Sequence, residues 1–218
     1  MSLKDIAYDI IKTRIVECDY PPGSFLNERE VIEELGISRT PFREAVNALS
    51  RVGLVDLIPH KGIFVTEITL KDVVDLYHIR EQLEPFAVRL AMVSIPEEVI
   101  EACYNSLLPL PDDSCDDKSS VKQDEDLHQM ILKYADNSLL TQMMGVIYDH
   151  NHRIRVLSVT RLNVYQLTRQ QHFEIIKQMR DGDIDAAAEA MLRHVVSSKD
   201  RAIEAILRRK DSFNFKLG

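Results

Sequence analysis

With 218 residues, 45% apolar and 28% charged, and only 7 Gly and 8 Pro, the chain has room for two domains with cores of their own, and its composition excludes a mainly disordered state. A net charge of -8 excludes a protein that coats nucleic acid indiscriminately, since such binding rests on neutralised phosphates, so any DNA contact must come from a local patch. No apolar run reaches the roughly 18 residues of a membrane span, and MSLKDIAYDI carries acids where a secretory signal has a basic end, so a cytoplasmic location is expected. Cys18, Cys103 and Cys115 are odd in number and far apart, and they read as free thiols.

Leu3, Ile6, Ala7, Ile10, Ile11 and Ile15 recur at helical spacing, and Pro21-Pro22-Gly23 ends that first helix. Asn27 followed three residues later by Glu30 predicts the capped start of a short helix that Gly36 closes. Ser38 or Thr40 caps the next, with Phe42, Ala45, Val46, Leu49 and Val52 on its buried face. Two β-prone runs, Leu54 to Ile58 and Ile63 to Thr66, flank Pro59-His60-Lys61-Gly62 and predict a hairpin.

From Thr69 the pattern is helical: a long helix to Val93, another from Pro96 to about Leu107, then an irregular stretch from Leu108 to Ser120. Four more helices follow, roughly Val121 to Ala135, Leu139 to Arg161, Val164 to Arg180 and Asp183 to Arg209. The expected fold is mainly α: a winged helix-turn-helix over residues 1–68 and an antiparallel all-helical bundle of about six helices over 69–218.

The helix-turn-helix presents the start of its second helix to base edges in the major groove. Arg39 and Arg43, four residues apart, project from one face there, and the planar guanidinium suits guanine O6 and N7 together. Thr40 and the helix's first amides suit phosphate. Residues 1–70 carry eight basic and eleven acidic side chains, so the domain as a whole is not basic. The stretch YPPGSFLNEREVIEELGISRTPFREAVNALSRVGLVDLIPHKGIFV resembles the N-terminal domain of the GntR family of bacterial regulators. The resemblance implies operator contacts from Arg29, Ser38, Arg39, Thr40 and Arg43, and a wing tip, His60, Lys61 and Gly62, in the minor groove.

In the second domain Asp124 and His128 are four residues apart on one predicted helix. His172 precedes Gly182 by ten residues and His194 follows it by twelve, so on two antiparallel helices they stand about 15 and 18 Å from the turn, at similar height. From spacing alone these are either isolated polar residues on three helices or a converging metal site for Zn, Ni, Mn or Fe. LYHIREQLEPFAVRLA, QDEDLHQMILKYADNSLL and QQHFEIIKQMRDGDIDAAAEAMLRH resemble the ligand-binding domain of the FadR-type GntR branch.

That resemblance implies a metal held by Asp124, His128, His172 and His194, with zinc the first choice, and a small carboxylate effector met by Arg80. Arg80 also stands beside Glu81 and Glu84, where a plain ion pair is the competing reading, and Arg153 and Arg155 are further effector candidates. The expected function is a homodimeric repressor of transcription on double-stranded operator DNA. A metal-dependent hydrolase is the rival from another class, weakened by the absence of an HExxH arrangement; a purely structural metal is the second rival.

Overall fold

The structure, a computed structural model, describes the backbone of residues 2–108, 117–158 and 162–214 and the side chains of residues 2–108, 126–157 and 166–208. It divides into two compact units, Met1–Thr69 with Tyr148–Leu157, and Leu70–Ile147 with Ser158–Gly218.

In the first unit α1 (Leu3–Val16) starts on a capping box between Ser2 and Asp5 and buries Ala7, Ile11 and Ile15. The strand β1 (Phe25–Leu26) leads to α2 (Glu28–Leu35), whose N-cap Asn27 accepts from the Arg29 amide and whose end is turned by Gly36 at φ 61°. Then comes α3 (Arg39–Arg51), with Ser38 as N-cap and Phe42, Ala45, Val46 and Leu49 buried against α1 and α2. The hairpin β2 (Val55–Ile58) and β3 (Gly62–Val65) follows as expected.

β1 adds a third strand that the sequence pattern does not announce: the sheet order is β1-β3-β2, antiparallel throughout, with Phe25 opposite Phe64 and Val55 opposite Val65. Two residues are too few for a period-of-two signal, so only pairing with β3 defines β1. Ile11, Ile15, Leu26, Val31, Phe42, Leu49, Leu54 and Val65 make one core beneath this sheet.

The helices that follow are α4 (Leu70–Ser94), α5 (Glu97–Ser106), α6 (Asp117–Tyr134), α7 (Ser138–Ser158), α8 (Leu162–Arg180) and α9 (Ile184–Asn214). In the second unit α4 packs against α6 and α9, and α8 against α5, α6 and α9. Alanines at 87 and 91 on α4 and at 187, 188 and 190 on α9 are buried, and their small size lets helix axes approach closely. The expected loop is shorter at its far end, since α6 begins at Asp117; residues 109–116, with Cys115, lie outside the described residues.

Residues Tyr148–Leu157 of α7 pack with the first unit. There the Arg153 guanidinium donates to Thr66 Oγ1 at 3.0 Å and to the Thr66 carbonyl, His150 Nε2 sits 2.8 Å from the Val52 carbonyl at the end of α3, and Lys12 pairs with Asp149 at 2.7 Å. No helix among the described residues is long and apolar enough to cross a membrane.

Candidate functional site

The first candidate surface is built by α2, α3 and the hairpin turn. Arg29, Arg39 and Arg43 line one open groove with Phe25 and Glu28, and Arg43 continues into a second with Asn47, His60 and Gly62. Recognition-helix and wing residues thus share one face of the unit. All three arginine side chains are exposed; Arg29 pairs with Glu33 at 2.8 Å, an exposed pair worth little in stability.

Glu28, which the sequence reading passed over, stands between the other two, its Oε1 at 3.7 Å from Arg39 Nε and 3.8 Å from Arg43 Nε. Those separations exceed a normal hydrogen bond, so the carboxylate attracts both guanidiniums without holding either in a bidentate grip. The signal for it lay in the first turn of α2, but its neighbours are on α3, beyond any local pattern. Ser38 and Thr40 are exposed at the start of α3, where the helix amides also favour an anion.

The wing tip has special backbone. Lys61 N–H donates to the Ile58 carbonyl at 3.0 Å, with Pro59 and then His60 at φ 61° between them, matching the type II turn pattern. Gly62 has φ 112°, a conformation that calls for glycine, and a Cβ there would come within 2.4 Å of the exposed Phe25 ring and push it aside. His60 and Lys61 are exposed at this tip.

The second candidate site lies inside the helical unit. His128 from α6, His172 from α8 and His194 from α9 are buried, and each offers a ring nitrogen within 4.8 Å of the other two. His128 Nε2 and His194 Nε2 are 3.2 Å apart. Two imidazole nitrogens bound at about 2.0–2.1 Å to one tetrahedral ion lie about 3.3 Å from each other, so the spacing fits a shared metal and the nitrogen donor set suits zinc. The side chain of Asp124, the remaining expected ligand, lies outside the described residues.

α4 supplies the wall of this site. Arg80 and Glu84, one helical turn apart, are both buried, with Arg80 Nε 2.5 Å from Glu84 Oε1 and the guanidinium carbon 4.8 Å from the Tyr77 ring centre. Glu84 Oε2 also lies 2.7 Å from His128 Nδ1. Burial alone would raise the Glu84 carboxyl, but Arg80 and His128 beside it outweigh burial and hold it at about 2. Glu81, on the same helix, pairs with Lys199 of α9.

His194 Nδ1 sits 3.2 Å from Gln171 Oε1 on α8. Glu84 was visible in the sequence as a partner for Arg80, but its approach to His128, and Gln171's to His194, depend on how α4, α6, α8 and α9 pack. Arg153 and Arg155 stand in the stretch of α7 that belongs to the first unit, Arg153 buried on Thr66 and Arg155 half-buried two residues on.

A winged helix-turn-helix joined to a helical domain with a cluster of buried polar side chains is the build of a DNA-binding transcriptional regulator with a ligand-binding domain. The chain belongs to the GntR family of such proteins, in the FadR-type branch: residues 3–65 match the bacterial regulatory proteins of the gntR family and residues 75–197 match the FCD domain. Among its relatives, the Nta operon transcriptional regulator of Aminobacter aminovorans is 29% identical over 88% of this chain and 90% of its own. The HTH-type transcriptional repressor RspR of Escherichia coli K12 is 27% identical over 86% of this chain and 83% of its own.

Solved structures share the fold. A GntR transcriptional regulator from Rhodococcus sp. RHA1 superposes with a TM-score of 0.76 at 17% identity, covering 94% of this chain and 99% of its own. E. coli McbR/YncC gives 0.75 at 16%, covering 94% and 98%. The matching families and curated relatives are transcriptional regulators, not enzymes.

Proposed function

We propose that this protein is a homodimeric cytoplasmic repressor whose two α3 helices straddle a palindromic operator, and whose affinity for it falls when a small organic acid binds at a metal site in the helical unit. The observation that carries this reading is the convergence of three buried imidazoles, His128, His172 and His194, beside the buried Arg80. His128, His172, His194 and Asp124 would hold the ion. When bound, zinc supplies Lewis-acid positions that a carboxylate or water completes. Arg80 would face the acid's charge from the α4 wall, since a guanidinium recognises a carboxylate in a planar, paired geometry.

On the DNA side, Arg29, Arg39, Arg43 and the turn His60–Gly62 would meet the duplex, with Ser38 and Thr40 on phosphate. Repression is supported by the RspR relative, a transcriptional repressor. Dimerisation is supported by α4, where Ile79, Phe86 and Val93, seven residues apart in turn, are 48%, 45% and 82% exposed on the face opposite its buried one.

The test is a melting-temperature screen of small carboxylic acids against the zinc-loaded chain and the chelator-treated chain. A bound acid stabilises in proportion to ln(1 + [L]/Kd), and the expected shift requires the metal. If chelation lowers the melting temperature while no acid moves it, the metal is structural and the effector reading fails.

A further inference from the structure

Glu28 opens α2 directly after its N-cap, Asn27, and lines both open grooves of the first unit, with Arg29 and Arg39 in one, His60 and Gly62 in the other, and Arg43 in both. Its side chain is 32% exposed, whereas those of Arg39 and Arg43 are 81% and 67% exposed. Its Oε1 is closed off from solvent and has no hydrogen-bond partner among the described residues. A carboxylate oxygen denied both water and a donor is costly unless opposite charge compensates it. The compensation is two guanidiniums, Arg39 Nε at 3.7 Å and Arg43 Nε at 3.8 Å. Both approach through Nε, the inner nitrogen, so the outer Nη pairs are left for another acceptor.

We propose that Glu28 is a specificity-determining residue, which sets the preference for operator over unrelated DNA by favouring base contacts from Arg39 and Arg43 over phosphate contacts. This rests on the DNA-reading role given to those arginines above. Guanine O6 and N7 are acceptors without net charge, so an arginine can reach them with its Nη edge while Nε stays near Glu28. A phosphate carries a full negative charge. Seating one on either arginine brings it toward the carboxylate, which adds repulsion between like charges, or draws the arginine off Oε1, which strands a buried oxygen. One carboxylate shared by two guanidiniums also leaves one net positive charge in place of two, and non-specific affinity comes almost wholly from neutralised phosphates. Direct reading of cytosine N4 by Glu28 is the competing role. Oε1 is shut from solvent, so a base cannot reach that oxygen without displacing its cover.

The test uses the full chain and the duplex it enriches from a random library, set against an unrelated duplex of equal length across a salt series. Glu28→Gln keeps the shape and removes the charge. It is expected to bind the unrelated duplex more tightly, with a salt slope steeper by about 1–2 as further phosphates are neutralised, while operator affinity moves far less. Asp9→Asn, which takes an equal charge from an exposed position on α1, is expected to leave the slope unchanged. Equal steepening in Asp9→Asn, or an equal gain on both duplexes in Glu28→Gln, reduces the effect to net charge and overturns the proposal. So does a loss confined to one C·G pair of the operator, which makes Glu28 a base reader. A lower melting temperature with unchanged binding overturns it too, since Glu28 then supports α2 alone. If Arg39→Ala and Arg43→Ala bind the operator as the wild type does, the DNA-reading role of this face fails first, and Glu28 has no arginines to direct.

Discussion

Glu84 Oε2 lies 2.7 Å from His128 Nδ1, between two side chains that are 1% and 4% exposed, and this contact ties α4 to the imidazole cluster. With Arg80 on its other oxygen, the Glu84 carboxyl is held at about 2 against an ordinary 4.5. A carboxyl depressed on folding stabilises the folded state above its unfolded value, and the contribution disappears as pH falls through the folded value. The wild type is therefore expected to exceed Glu84→Gln in stability above about pH 4.5, by on the order of 3 kcal/mol at most. The gap should close between 4.5 and 2, and urea titrations of both metal-free proteins across that range measure it. A gap that widens on acidification contradicts the charge state assigned to Glu84.

The histidine cluster makes its own prediction. Millimolar chelator should lower the melting temperature of the zinc-loaded wild type, because ligand present at 1,000 times its Kd stabilises by about 4 kcal/mol. His194→Ala and His172→Ala remove donors from a set of three close nitrogens, so chelator should leave their melting temperatures unchanged. Equal sensitivity in the variants would place the metal elsewhere.

On the DNA side, Arg43 lines both grooves, with the α2 arginine in one and with His60 and Gly62 in the other. Arg43→Ala should weaken binding to the cognate operator by about 1–3 kcal/mol, while affinity for unrelated duplex changes far less. Competition binding at one fixed salt concentration separates the two. A uniform loss across all sequences would make Arg43 a phosphate contact and not a base reader.

Gly62→Ala should destabilise the first unit by roughly 1–3 kcal/mol, since alanine is strained at φ 112° and its Cβ would collide with the Phe25 ring. Phe25 packs edge-on against Phe64 across the β1–β3 pair, so the damage should reach the wing and reduce operator affinity as well. Thermal unfolding and binding measured together check this, and an unstrained, fully active variant is the contrary result.

Arg153→Ala should cost about 1–3 kcal/mol of stability in the first unit, because it strips the donors that meet Thr66 Oγ1 and its carbonyl. Lysine should not restore it, as an ammonium cannot reproduce the two-pronged contact of a guanidinium. If Arg153→Ala leaves unfolding untouched but abolishes an effector response, its place is in ligand binding and not in joining α7 to Thr66.

Much of this protein was legible because the relevant signals are local. Asn27 and Gly36 bound α2, the apolar spacing of Phe42, Ala45, Val46 and Leu49 marks the buried face of α3, and the Pro59–Gly62 turn fixes the hairpin, all within a few residues of chain. The long resemblance over residues 20–65 and the helical one behind it supplied the candidate DNA-reading arginines and the histidine set as expectations. Pairing of β1 with β3 and the packing of Arg153 on Thr66, 87 residues away, leave no such local trace.

By itself, then, the sequence determined the order of elements, the apolar face of each helix and the residue types available for DNA and metal, because capping, periodicity and turn chemistry act over one or two turns. Only tertiary structure decided that His128, His172 and His194 meet, that Glu84 backs His128 and Gln171 backs His194, and that part of α7 belongs with the first unit. Those are contacts between elements far apart in the chain, set by how buried faces of several helices interlock, and no single helix carries the information.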